Sequence, residues 1–167
     1  EEAGYVLVQD EAALNAWVVA ATEQGALAVD TETNSLDSLN AELVGVSLAV
    51  SEPVAGACAC YIPLGHVAPK NQGSFDLDGE TEGSSAGGVP KQITLGKAIR
   101  VLKPMLEDRG TLKIAHNAKY DSEVLARHGI NMTPVDDTML LSYVLDGGSH
   151  KHNLDDLTRL HLNRTNI

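Results

Sequence analysis

Ala26-Leu27-Ala28-Val29-Asp30-Thr31-Glu32 is the stretch on which the fold reading turns. An apolar run ending in two acids at i and i+2 describes a strand whose last carboxylates share one face, because side chains alternate along a strand. Aimed together from a rigid strand end, Asp30 and Glu32 repel each other unless a cation lies between them, and charge placed directly after an apolar run is costly without a partner. Oxygen ligands of this kind suit hard divalent ions. The same spacing recurs at Asp78/Glu80 in a polar stretch and at Asp121/Glu123 in a helical one, where residues two apart do not face each other. Context rather than spacing singles out the first pair. The plainer reading is a strand end that emerges into solvent.

Working outward, Tyr5 to Val8 reads as a short strand, and Asp10 caps an Ala-rich helix that runs to Gln24 and stops at Gly25. Leu43 to Val50 and Ala57 to Pro63 are further strands. Their short polar connections predict an antiparallel meander with residues 26–32. Residues 65–90 change to Gly, Ser, Asp and Glu with almost nothing to bury, the composition of a long surface loop. Thr94 then caps a helix reaching Asp108, kinked near its end by Pro104. Thr111 to Ala115 is a strand, and Asn117 to His128 a helix ended by Gly129. Asp137 to Leu145 and Leu154 to Leu162 carry apolar residues at helical spacing. A strand meander followed by alternating helix and strand predicts an α/β fold, a ribonuclease H-like mixed sheet flanked by helices.

The chain has 167 residues, of which 43% are apolar, enough for a single domain with a core. No apolar run of about 18 residues is present to cross a bilayer, so no membrane partner is expected. The start, Glu1-Glu2-Ala3-Gly4, lacks the marks of a secretory signal and has no initiator Met, which reads as a segment of a longer polypeptide. Cys58 and Cys60 are too close in a strand for a relaxed disulfide, which implies a reduced, intracellular setting.

The net charge of -11 argues against non-specific binding to a polyanion. It is unevenly spread: residues 1–69 hold 10 acids and no Lys or Arg, whereas residues 91–127 hold 8 bases and 4 acids. Contact with nucleic acid would therefore come from that basic stretch and from bound divalent cations.

A second constellation, His116-Asn117-Ala118-Lys119-Tyr120-Asp121, follows a strand and opens a helix, placing Asp121 one turn after Asn117 on the same side. Taken singly, Asn117 reads as an ordinary helix cap and Asp121 as a solvated helix acid. Cys58, Cys60 and Tyr61 read as strand packing, and His66, His128 and His161 show no metal-ligand spacing.

Together the motifs Val29-Asp30-Thr31-Glu32-Thr33-Asn34-Ser35-Leu36-Asp37 and Asn117-Ala118-Lys119-Tyr120-Asp121 resemble the 3′→5′ exonuclease (proofreading) domain of bacterial DNA polymerase I, in the DEDD exonuclease superfamily. Supporting segments are Tyr61-Ile62-Pro63-Leu64, Leu102 to Asp108, Asp137-Thr138-Met139-Leu140 with Ser142-Tyr143, and Lys151-His152-Asn153-Leu154. They span nearly the whole chain in the family's order. The resemblance implies a two-metal hydrolysis with Mg²⁺ or Mn²⁺, Zn²⁺ being a further option, in which one ion lowers the pKa of the attacking water and the other stabilises the leaving oxygen. Asp30 and Glu32 would ligate the principal ion, with Asp30 bridging to the second and Asp121 holding the second through water. Thr33 and Leu36 would contact the 3′-terminal nucleotide, Asn117 and Tyr120 would line the single-strand path, and Lys151 would meet phosphate. Aromatic residues make up only 4% of the chain, so Leu36 would share the work of holding bases.

The family's fourth carboxylate, in a Tyr-x3-Asp motif, has no match: no Tyr here is followed by Asp at that spacing. His150 and Asp155 have the spacing of the related His-x4-Asp motif, but they fall in the Lys151-His152-Asn153-Leu154 segment that precedes the missing one, and the match reads as chance. The expectation is a domain cut before its third motif and weakly active or inactive by itself. Its setting would be the bacterial cytoplasm, its partners the 3′ end of single-stranded DNA and a polymerase domain in the same parent chain. The rivals are a ribonuclease D-like exonuclease acting on RNA, and an inert exonuclease-fold module that braces a polymerase.

Overall fold

A computed structural model describes residues 4–68 and 89–165. The expected surface loop at 65–90 therefore lies for the most part outside the described residues. The elements run β1 (Tyr5–Leu7), α1 (Glu11–Gln24), β2 (Ala26–Thr33), β3 (Leu43–Val54), β4 (Ala57–Pro63), α2 (Leu95–Leu106), β5 (Leu112–Ala115), α3 (Ala118–Arg127), β6 (Val135–Asp137), α4 (Thr138–Asp146) and α5 (Leu154–Leu162).

They build one six-stranded sheet in the order β1-β4-β3-β2-β5-β6. β2, β3 and β4 form the expected antiparallel meander, and β1 on β4, β5 on β2 and β6 on β5 are parallel, so the sheet is mixed. β2 is central, and it carries the acidic pair.

Capping explains where α1 begins and ends. Asp10 accepts from the Ala13 N–H at 2.9 Å, and Gly25 at φ 73° takes the left-handed turn, its N–H reaching Ala21 and Thr22. The buried residues Leu14, Trp17 and Ala21 face α2, β2 and β3. Beneath them Leu27, Val29, Val46, Leu48 and Ile62 fill the inner face of the sheet, joined by Ala98, Leu102, Met105 and Leu106 of α2. The opposite face is different. Across neighbouring strands Ala28 pairs with Ala49 and Ala49 with Ala59, while Asp30 pairs with Ser47 and Ser47 with Tyr61. Small residues in those rows leave a shallow apolar depression of about 470 Å³ beside Asp30.

Several details depart from the sequence reading. β3 runs on to Val54, admitting Pro53 because its pairing with β4 shifts register between Ala49 and Val54. Thr94 stands at the start of α2 without a side-chain cap. β6 is too short for periodicity to reveal. The apolar spacing of α4 looks outward: Leu140, Leu141, Val144 and Leu145 are exposed and only Ser142 is buried.

The basic 91–127 stretch does not form one surface strip. Lys113 is fully buried, its ammonium donating to the carbonyls of Asp108 at 2.8 Å, Thr111 at 2.6 Å and Thr133 at 2.5 Å. Arg100 pairs with Glu11, and Arg127 donates to the carbonyls of Ser38 and Ala41.

Candidate active site

Alternation along β2 sorts the first motif by face. Asp30 and Glu32 point outward to the open side, and Thr31 points inward and is buried. β5 lies parallel beside β2, so α3, which follows β5, begins near the end of β2 that carries the acids. Asp121, one turn into α3, is 2% exposed, and its Oδ1 accepts from the Thr31 backbone N–H at 2.9 Å and from the Thr31 hydroxyl at 2.6 Å. The two motifs, 90 residues apart, are thereby stapled together. The reading of Asp121 as a solvated helix acid does not hold.

The electrostatics of this cluster are unfavourable to charge. Asp30 is open to solvent along one edge, yet loss of water around its carboxyl, then the negative charges of Asp121 and Glu32, push its pKa up to about 6. Burial also pushes Asp121 upward against the pull of its bonds from Thr31, and Asp137 adds to the rise. Among the described residues no salt bridge reaches Asp30, Glu32 or Asp121. Uncompensated negative charge on oxygen donors fits a hard divalent cation. The fit is that of a partial site: among the described residues no three His, Cys, Asp or Glu side chains are arranged as a metal-holding group.

The expected substrate contacts divide in two. Thr33 and Tyr120 meet at one point: their hydroxyls lie 2.5 Å apart and both are within hydrogen-bond reach of the Ser35 carbonyl, so the turn after β2 is tied to α3. Leu36 projects from that turn 98% exposed. Asn117 and Lys151 lie on a separate cleft of about 680 Å³, lined as well by His116, Met139, Tyr143 and His150. Asn117 occupies the cap position of α3 but does not cap it. It sits at φ 63° with no side-chain capping bond, and the Asn117 and Ala118 N–H groups donate instead to Asp137.

In this region Gln92 and Gly45 escaped the sequence reading, as did the polar role of Tyr61. Tyr61 does more than pack: its hydroxyl is 2.7 Å from His66 Nε2, and burial with the charge of Glu32 raises its pKa. Gln92 holds His66 in place through that residue's backbone N–H and carbonyl. Gly45, the cross-strand partner of Glu32, gives the phenol its room, because a Cβ there would lie 2.0 Å from the Tyr61 oxygen. A lone glycine inside a strand of Val and Leu was the available signal.

Sequence comparison bears on this geometry directly. The 3′–5′ exonuclease family profile matches residues 5–167. The chain belongs to that family. DNA polymerase I of Rhizobium leguminosarum is 42% identical over 172 residues, a match that covers 100% of this chain and 16% of the relative. The chain thus spans about a sixth of that curated relative, and the exonuclease portion is what they share. Among solved structures, Escherichia coli RNase D aligns at TM-score 0.62 with 19% identity, covering 98% of this chain and 35% of the other. Brucella melitensis NrnC with bound Mg²⁺ aligns at TM-score 0.59 with 21% identity, covering 98% and 63%. These likenesses establish the ribonuclease H-like exonuclease fold expected from the strand meander. No helix among the described residues is long and apolar enough to cross a membrane.

Proposed function

We propose that this chain is the proofreading part of a bacterial DNA polymerase I, a metal-dependent exonuclease releasing nucleoside 5′-monophosphates from single-stranded DNA 3′ ends. The observation that carries the reading is the set Asp30, Glu32 and Asp121, drawn to one strand end and, among the described residues, left without a salt-bridge partner. Asp30 and Glu32 would hold the principal ion on the open face, with Asp121 behind them toward the second. Bound Mg²⁺ or Mn²⁺ would lower the pKa of the attacking water and stabilise the departing 3′ oxygen.

The chain's own residues place the substrate. Leu36, exposed on its turn, wedges against the terminal base. Thr33 and Tyr120 keep the turn that carries Leu36 rigid, and the cleft with Asn117 and Lys151 receives the preceding nucleotides and a phosphate. An apolar depression lined by Ala28, Ala49, Ala59 and Tyr61 lies beside Asp30, and the family's Tyr-x3-Asp acid has no match in this sequence. Without that acid, metal binding by these residues is weak and hydrolysis slow. The parent polypeptide would work in the bacterial cytoplasm, its polymerase domain passing frayed 3′ ends to this site.

An inert bracing module is the second reading, favoured by the lack of a three-ligand metal group among the described residues. An excision assay with the full-length protein separates the two. A 3′-labelled single-stranded DNA should be shortened in Mg²⁺ or Mn²⁺ and spared by Asp30→Ala. No shortening supports the inert module, and faster shortening of an RNA of the same sequence supports the ribonuclease D-like alternative.

A further inference from the structure

Asp137 lies on β6, a strand the sequence reading did not anticipate, and its carboxylate accepts four backbone N–H groups from two helices. Oδ1 takes Asn117 at 3.1 Å, Met139 at 2.9 Å and Leu140 at 3.3 Å, and Oδ2 takes Ala118 at 2.9 Å. The bonds from the two α4 N–H groups, Met139 and Leu140, are the ordinary work of a capping residue. The bonds to Asn117 and Ala118 are not, because they reach 20 and 19 residues back to the opening of α3.

We propose that Asp137 is a positioning residue of the exonuclease site, a shared cap that fixes the start of α3, and with it Asn117 and Asp121, against the start of α4. The inference rests on the exonuclease reading given above. Asn117 cannot cap its own helix from its left-handed conformation, so the α3 opening depends on a carboxylate supplied by the neighbouring strand. Register makes this possible: β5 and β6 are parallel, and Ala115 pairs with Asp137, which brings the residues after both strands together. A second link supports the first, since the Thr138 hydroxyl lies 2.9 Å from His116 Nδ1 and donates to the Ala115 carbonyl at 3.2 Å. Two helix N-termini meeting at one point present partial positive charge, which favours an anionic side chain there over an amide. With both oxygens engaged by backbone, Asp137 is not the absent fourth metal carboxylate. It acts through Asp121.

The test uses the full-length protein and two variants. Asp137→Asn keeps one acceptor oxygen but turns an NH₂ toward backbone donors. Asp137→Ser retains a local cap for α4 and cannot reach Asn117 or Ala118. For both, the Mn²⁺ concentration giving half-maximal excision of single-stranded DNA is expected to rise about tenfold, in the range seen when an outer-shell partner of a metal ligand is lost. Part of the lost rate should return at saturating Mn²⁺, a recovery that mere unfolding would not show. Hydrogen exchange should quicken in peptides covering 116–121 and stay at the parent rate in α1 and β3. Parent-like Mn²⁺ dependence in either variant, or unchanged exchange at 116–121, overturns the proposal. If the parent protein itself excises nothing, the exonuclease reading fails while the exchange measurement still judges the clamp.

Discussion

Replacing Asp30 by Asn should make the metal-free protein more stable at neutral pH, the opposite of what removing a functional side chain usually does. In the folded chain burial, with the charges of Asp121 and Glu32, raises the Asp30 pKa from 3.8 to about 6. Between those two values the folded protein keeps a proton that the unfolded chain has already released. Stability therefore falls as pH rises from about 4 through about 6 and is level above that. A shift of about two pKa units corresponds to roughly 3 kcal/mol, and screening of a partly open carboxylate reduces this to about 1.5 kcal/mol. Asp30→Asn removes the penalty. Urea denaturation in EDTA at pH 7.5 should show the variant more stable by about that amount, with the two proteins converging well below pH 3.8, where the carboxyl is protonated in both states. Adding Mn²⁺ should reverse the order at pH 7.5, since binding to the folded parent stabilises it by mass action. A variant no more stable than the parent at pH 7.5 in EDTA refutes the idea that crowded, uncompensated charge defines this site.

Lys113→Met should lower stability by about 3 kcal/mol in denaturant titration, because it strands the buried carbonyl of Thr111 and the part-buried carbonyls of Asp108 and Thr133 that the ammonium now satisfies. Gly45→Ala places a methyl group where the Tyr61 hydroxyl sits, so the ring must leave, and the tyrosine fluorescence and the exonuclease rate of the full-length protein should both change while Gly96→Ala, with open space around it, alters neither. Leu36→Ala, at a side chain exposed to 98%, should leave the melting temperature within about 1 °C and raise KM for single-stranded DNA several-fold. Equal KM for parent and variant would remove Leu36 from the substrate path.

Much of the fold was legible because its elements carry strong local signals. Asp10 and Gly25 bracket α1, and the two strands that meet at the Ala55-Gly56 turn are marked by composition, although the end of β3 was not. The pairing of Asp30 with Glu32 on one face followed from strand alternation alone. What the sequence could not show was tertiary. That Asp121 reaches Thr31, that Asp137 caps a helix opening 20 residues earlier, and that Lys113 turns inward to carbonyls all depend on which strands lie side by side. β6 is three residues long, too short for a period to register, and it is the strand that makes the Asp137 clamp possible. A charge count along residues 91–127 likewise cannot tell an exposed lysine from one enclosed by backbone oxygens.

The most direct measurement is stepwise shortening of a 5′-labelled single-stranded DNA by the full-length protein, first stripped with EDTA and then given Mn²⁺. The account predicts a ladder receding one nucleotide at a time from the 3′ end, with nucleoside 5′-monophosphate as product and no ladder for Asp30→Ala, Glu32→Ala or Asp121→Ala. A ladder that persists in EDTA or in the Asp30→Ala protein, or none at all from the parent in Mn²⁺, would contradict it.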